Sequence, residues 1–244
     1  MPTTKRAAPV ANRLLAALSK KEYQRLLPDL EPVPLAFGDI LYEPGDTIGH
    51  VYFPDNGIIS LLSKVERQKV LEVGIVGNEG VAGLPVVLGV RVSLNRGLVQ
   101  SAGTAMRMKA AVLQREFKRD GALQKQLHRY LHSLLTQISQ SAVCNRFHTV
   151  DARLARWLLM THDRVGSDEF QLTQEFLSNM LGVRREAVSI AAGALQKREF
   201  IHYSRGHIEI TDFDGLSKTS CECYAMVKAQ YERLIHPRCA RDHV

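Results

Sequence analysis

Long apolar runs are missing from this sequence of 244 residues. Nothing in it approaches the roughly 18 consecutive apolar residues that a membrane span requires, so no membrane partner is expected. The amino terminus, MPTTKRAAPVANRLLAAL, has basic residues but lacks both a sustained apolar segment and a convincing cleavage site, which predicts a cytoplasmic protein. Cysteine is scarce. Cys144, Cys221, Cys223 and Cys239 include no pair separated by two residues. The Cys221-Glu222-Cys223 run is compatible with a soft metal or with oxidation, but small buried thiols are the expected reading. His128 and His132 stand one helical turn apart without a third ligand nearby, so no metal site is expected. No Ser-His-Asp order, phosphate-cradling loop or credible carboxylate pair stands out, and the chain does not read as an enzyme.

Positive charge is present but badly placed. The formal charge is +7, which invites a nucleic-acid reading. Yet from His148 onward there are 13 Lys plus Arg against 13 Asp plus Glu, and before it 19 against 12. The argument for nucleic acid therefore rests on local clustering at Arg184, Arg185, Lys197, Arg198 and Arg205.

That clustering falls around Leu172 to Lys197, LTQEFLSNMLGVRREAVSIAAGALQK. Thr173 is a helix cap, Leu172 and Leu177 have the spacing of a hydrophobic staple, and Glu175 suits the first turn. Phe176, Leu177, Met180 and Leu181 recur at helical spacing until Gly182, where the chain must turn through a left-handed conformation. On the second helix Ala187, Val188, Ala191 and Leu195 form a core side. Glu186, Ser189, Ile190, Gly193 and Lys197, with Arg185 on the flank, form the opposite side. Arg185 has the fork for guanine, Glu186 an acceptor for the cytosine amino group, and Ile190 an apolar contact for a thymine methyl. A plain amphipathic helical hairpin would show the same spacing, but the downstream segment weighs against it. Two β-favouring runs, Phe200 to Ser204 and His207 to Ile210, flank Arg205-Gly206 and predict a hairpin whose tip holds phosphate through Ser204, Arg205 and His207. A solvated turn is the blander alternative.

Gln174-Glu175, Leu181-Gly182-Val183, Arg185-Glu186, Val188 and the wing together resemble the winged helix-turn-helix of the Crp/Fnr family of bacterial transcription regulators. The resemblance implies DNA-reading roles for Arg185, Glu186 and Ser189. With the caps and flanks the expected DNA-binding set is Thr173, Gln174, Arg184, Arg185, Glu186, Ser189, Ile190, Lys197, Arg205 and His207. Arg184 replaces a common Ser or Thr cap and Ile190 a common arginine, so the operator sequence does not carry over. The amino-terminal cysteine cluster of Fnr-type iron–sulfur sensors is absent, and no iron–sulfur cluster is expected.

Elsewhere, Arg13 to Leu27 predicts one or two short helices ended by Pro28. From Pro32 to Met108, β-branched stretches alternate with turns such as Pro44-Gly45-Asp46 and Gly77-Asn78-Glu79-Gly80, predicting a β-roll with strands near Gly57 to Ser63, Lys69 to Val76, Leu98 to Ser101 and Thr104 to Met108. The resemblance makes this roll a sensor of the cyclic-nucleotide-binding type. Gly80, Gly83 and Arg96 are then its candidate effector residues. Leu84 stands where a ribose-binding glutamate is expected, and Arg96-Gly97 replaces an Arg-Ser pair, so a cyclic nucleotide is not favoured as cofactor. Between Gly121 and Arg146, Leu127, Leu131, Leu134, Ile138, Ser141 and Asn145 step as a short coiled-coil seam, and Tyr130, Leu135 and Ala142 are expected to face the roll. Phe147 to Asp151 reads as a hinge in which Asp151 caps the next helix. Leu216, Tyr224, Val227, Tyr231 and Leu234 suggest a last helix packed on the domain.

The expected fold is α+β: a jelly-roll-like β-roll over 1–118, a dimerisation helix and hinge over 119–147, and a winged helix-turn-helix domain over 148–244. The expected function is a homodimeric, sequence-specific transcription regulator binding double-stranded DNA with an approximate inverted repeat. Its effector, if any, is an unknown small molecule other than cAMP, and the resemblance implies RNA polymerase as a partner. The alternative is a ligand or nucleotide sensor that acts through protein contacts without productive DNA binding.

Overall fold

A computed structural model describes residues 10–64 and 70–235. Two short helices open the chain, α1 (Arg13–Ala16) and α2 (Lys20–Leu26). Pro28 does not end the run outright; it sits inside a single 3₁₀ turn over Leu27–Asp29, a first-turn position where its missing N–H costs nothing. Asn12 caps α1 and also donates its amide to the carbonyls of Pro54 and Gly80, which ties the amino-terminal helices to the roll.

Seven strands follow: β1 (Glu31–Leu35), β2 (Ile40–Tyr42), β3 (His50–Pro54), β4 (Ile58–Lys64), β5 (Val70–Val76), β6 (Arg96–Ser101) and β7 (Gly103–Lys109). They pair antiparallel into a sheet ordered β1-β7-β3 and a sheet ordered β2-β6-β4-β5. Val51, Phe53, Ile58, Ile59, Leu62, Ile75, Val76 and Val99 are fully buried in the core of the roll. Within the described residues the expected strands agree with these to within two residues; Lys69, placed at the head of one, lies outside them. Helix α3 (Ala110–Phe117), not expected from the sequence, leads into the long α4 (Ala122–Phe147).

Helix α4 lies on the roll, and the close fit is visible at Gly80, where an added Cβ would stand 2.1 Å from the Tyr130 ring. Leu123, Leu127, Tyr130, Leu134, Gln137, Ser141 and Cys144 are buried in the chain itself. This corrects the expected orientation. Tyr130 does face the roll, but so does Leu134 of the expected seam, and Leu127 and Ser141 of that seam are buried within the chain, whereas Leu135 is 54% exposed and Ala142 is exposed as well. The two arcs adjoin on the helix, so periodicity alone does not say which one is covered.

After a two-residue break at His148-Thr149, α5 runs Val150–Val165. Its N-cap position is Thr149, and Asp151 sits inside the first turn rather than capping it, where its charge still favours the helix dipole. Then come β8 (Glu169–Gln171), α6 (Gln174–Leu181), α7 (Arg185–Lys197), β9 (Ile201–Ser204), β10 (His207–Ile210), α8 (Phe213–Thr219) and α9 (Cys223–Ile235). The unexpected strand β8 pairs with β10, giving a sheet ordered β8-β10-β9. Leu216 belongs to α8 rather than to the last helix, and α9 packs chiefly against α4. The side chain of Leu234 lies outside the described residues. Among the described residues no helix is long and apolar enough to cross a membrane.

The two halves meet directly. Trp157 on α5 donates to Glu72 on β5, Gln100 on β6 donates to Thr161, and Arg164 pairs with Glu79 at 2.8 Å. Phe176 on α6 packs tilted against Phe37 and edge-on against Trp157. Burial and the flanking Ser60 and Trp157 donors pull the Glu72 carboxyl in opposite directions; burial wins, and its pKa is pushed up to about 7.

Candidate nucleic-acid interface

Helices α6 and α7 meet at the turn expected from the sequence. Thr173 accepts from the backbone N–H of Phe176, and Gly182 ends α6 at φ 61°, a left-handed conformation that glycine adopts without steric cost. Arg184 occupies the N-cap position of α7 with extended backbone and no side-chain cap bond. Val188, Ala191, Ala192 and Leu195 are buried against α5 and α6. Ala187 is only half-buried, and Ala192 takes the place in the core that the helical wheel gave it.

The opposite face is open. Arg184, Arg185, Glu186, Gly193 and Lys197 are exposed, and Ile190 is 73% exposed, unusual for a β-branched apolar side chain. Ser189, half-buried, donates to Gln174 Oε1 at 2.8 Å, and Arg185 Nε reaches the same oxygen at 3.4 Å. Gln174 on the first helix therefore holds two polar groups of the second. Glu186 has no hydrogen-bond or ion-pair partner among the described residues, so an acceptor remains free on this face. The geometry offers a forked donor, a free carboxylate and an apolar tip on one exposed helix, a set that matches the edges of bases in a major groove.

The wing lies beside it. Strands β9 and β10 pair in register through His207–Ser204 to Ile210–Ile201, leaving Arg205 and Gly206 as a two-residue turn. Both have positive φ, 51° and 81°, as the common two-residue hairpin turn requires. Arg205 is exposed, and His207 approaches Glu169 on β8 at 3.7 Å.

The three candidate effector residues do not converge. Gly80 abuts Tyr130, Gly83 abuts Val51 and the His50 carbonyl, and Arg96 makes a two-pronged pair with Glu43 at 2.7 and 2.9 Å. Leu84 is buried. A cleft of about 650 Å³ lies elsewhere, between α5, α9 and the turn at Asn78-Glu79. Sequence reasoning also missed one constellation: Cys144, His148, Cys221 and Cys223 are gathered at the end of α4. The signals available were Cys144 and His148 one helical turn apart and the alternation of Cys221 and Cys223.

Residues 152–219 match the family model described as the Crp-like helix-turn-helix domain. This region is similar to Crp-like helix-turn-helix domains. No curated protein matches the chain in sequence. Similar solved structures include FixK2 from Bradyrhizobium japonicum, with a TM-score of 0.67 at 14% identity over 79% of this chain and 98% of that one. A CRP-family transcriptional regulator from Thermus thermophilus, TTHB099, gives 0.65 at 14% identity over 77% and 96%. The c-di-GMP responsive global regulator CLP from Xanthomonas campestris gives 0.62 at 16% identity over 79% and 99%. The chain thus shares the fold of these structures, from β-roll through long helix to helix-turn-helix.

Proposed function

We propose that this chain is a cytoplasmic, homodimeric, sequence-specific transcription regulator, with a sensor over 1–118, a dimerisation helix over 119–147 and a DNA-binding domain over 148–244. The observation that carries the reading is the open face of α7, where Arg185, Glu186 and Ile190 project with Ser189 held by Gln174. Thr173, Arg184 and Lys197 border that face, and Arg205 and His207 on the wing supply phosphate contacts that position without reading sequence.

Dimerisation follows from α4. Leu131, Leu135, Ile138 and Ala142 step by four, three and four residues along its outer side, the second and fourth exposed and the first and third half-buried, the spacing of a coiled-coil seam. Two chains joined there present two α7 helices to a pseudo-palindromic duplex about one helical turn apart. RNA polymerase is the partner at the promoter. A 3′,5′-cyclic mononucleotide is not the favoured effector, because Leu84 supplies no carboxylate for a ribose and Arg96 is already paired with Glu43.

The test is selection of bound duplexes from a random pool by the purified protein, with and without cyclic mono- and dinucleotides. An inverted repeat is expected, with one base position blurred in Arg185→Ala. An unchanged motif and affinity in that variant, or no enrichment under any condition, would overturn the reading.

A further inference from the structure

The end of α4 and the start of α9 bring soft donors together from two places in the chain. Cys144 lies in the last turn of α4, His148 follows as its C-cap, and Cys221 and Cys223 flank Glu222 where α9 begins. Their sulfur and imidazole nitrogen atoms all lie within 4.8 Å of one another. The sulfurs of Cys144 and Cys221 are 3.5 Å apart, and Cys223 Sγ is 3.5 Å from Nδ1 of His148. A tetrahedral zinc ion with Zn–S of about 2.3 Å and Zn–N of about 2.0 Å requires sulfur–sulfur and sulfur–nitrogen separations of about 3.8 and about 3.5 Å. The Cys144–Cys221 and Cys223–His148 separations stand close to those figures, and the remaining pairs lie within 4.8 Å.

We propose that Cys144, His148, Cys221 and Cys223 bind one Zn²⁺ ion in a closed tetrahedral site that fastens the end of the long helix to the α8–α9 loop. Two features beyond the donors support it. The first is the outer shell: His148 presents Nδ1 to the sulfurs while its Nε2 lies 3.3 Å from the Glu222 carboxylate. A metal-bound imidazole held by a carboxylate on its other nitrogen is the recurrent arrangement at such centres. Gln140 adds an amide N–H to Cys223 Sγ at 3.1 Å.

The second feature is charge. Arg153 and Arg156 are buried, at 7% and 8% exposure, and their guanidinium N–H groups reach only neutral oxygens: Asn145 Oδ1, the Leu181 carbonyl and Ser141 Oγ. Among the described residues the Nε atoms of both have no partner, and the carboxyl that Arg156 senses, Glu72, is pushed towards its neutral form by burial. Buried cations without an anion are costly. Zn²⁺ with three thiolates and one neutral imidazole carries a net charge of −1 and supplies the anion. Binding forms three S–Zn bonds and one N–Zn bond and releases one proton from each thiol to solvent. Mixed thiolate and imidazole ligands in four-coordinate geometry select zinc among the common divalent ions.

The test uses the full chain, purified without an affinity tag, reduced and kept free of oxygen. Native mass spectrometry and titration of Zn²⁺ against a chromophoric chelator are expected to show one ion per chain, and Co²⁺ in its place to give thiolate charge-transfer and tetrahedral d–d bands. Cys223→Ser and Cys144→Ser are expected to lose the ion, Cys239→Ser to keep it, and Glu222→Gln to keep it with affinity lower by about 10- to 100-fold. Circular dichroism checks that each variant is folded. Zinc retained at full affinity in Cys144→Ser/Cys223→Ser overturns the proposal. So does a reduced wild-type chain that takes up no zinc, whether or not oxidation then removes two hydrogens as a Cys144–Cys221 disulfide. None of these readouts depends on DNA, so failure here and failure of the regulator reading are separable.

Discussion

The indole N–H of Trp157 donates to the Glu72 carboxyl at 2.8 Å, joining the first helix of the Crp-like domain to strand β5 of the roll. Glu72 also accepts from Ser60, and Arg156 and Arg164 lie within electrostatic reach, yet full burial pushes its pKa from 4.5 up to about 7. A carboxyl whose folded pKa is raised stabilises the fold when protonated. Its contribution is fully present below about pH 4.5 and is lost as pH rises through about 7. Ionisation at this junction therefore opposes docking of the two halves by ~3 kcal/mol. Glu72→Gln is expected to flatten the fall in stability between about pH 5 and about pH 8. Chemical denaturation of both proteins across that range checks it, and parallel curves would remove Glu72 as the cause.

The helix-turn-helix and wing were legible because each is punctuated locally. Thr173 caps, Gly182 stops, and Arg205-Gly206 turns, all within a few residues of what they act on. The strands β4 to β7 of the roll were legible for the same reason, whereas β1, β2 and β3 were not placed. The orientation of α4 was not, because Leu127 and Leu131 belong to neighbouring arcs of one helix and only the folded roll decides between them. Strand β8 is three residues long and owes its order to pairing of Phe170 with Ile208, a partner remote in sequence. The cysteine cluster joins residues 77 positions apart, a distance that spacing rules do not bridge.

Arg164 and Glu79 form an ion pair at 2.8 Å with side chains only 7% and 5% exposed, linking α5 to the turn at Gly77–Gly80. The paired carboxylate holds the guanidinium firmly in its charged form, against the burial that opposes it. Removing one partner strands the other. Arg164→Met or Glu79→Gln alone is expected to cost ~3–5 kcal/mol, whereas the two combined should recover most of that loss. Urea unfolding of the two single variants and the double variant measures the difference, and an additive double variant would contradict it.

Leu135, 54% exposed, lies at the middle of the outer seam of α4. Burial of such a side chain against a second chain contributes ~1.5–3 kcal/mol per subunit. Leu135→Glu places a like charge on each side of the two-fold axis and is expected to yield monomers at micromolar concentration, with folding of the single chain intact. Sedimentation equilibrium decides it. A dimer that persists in Leu135→Glu/Ile138→Glu would show that subunits meet through another surface.

Arg205 stands at φ 51° in the wing turn, a conformation that costs a side-chain-bearing residue ~1–2 kcal/mol and glycine almost nothing. Glycine in turn loses ~0.5–1 kcal/mol more entropy on folding. The two effects nearly cancel, so Arg205→Gly is expected to leave stability within ~1 kcal/mol of wild type. Its effect on DNA separates from folding. Loss of one phosphate contact should weaken binding about equally across duplex sequences and lower the slope of log affinity against log salt by about one. Arg185→Ala should instead cost ~1–3 kcal/mol on the preferred site and relax one base position. Affinity measured on preferred and scrambled duplexes at several salt concentrations distinguishes the two. If Arg205→Gly changed sequence preference, the wing would be reading bases rather than holding the backbone.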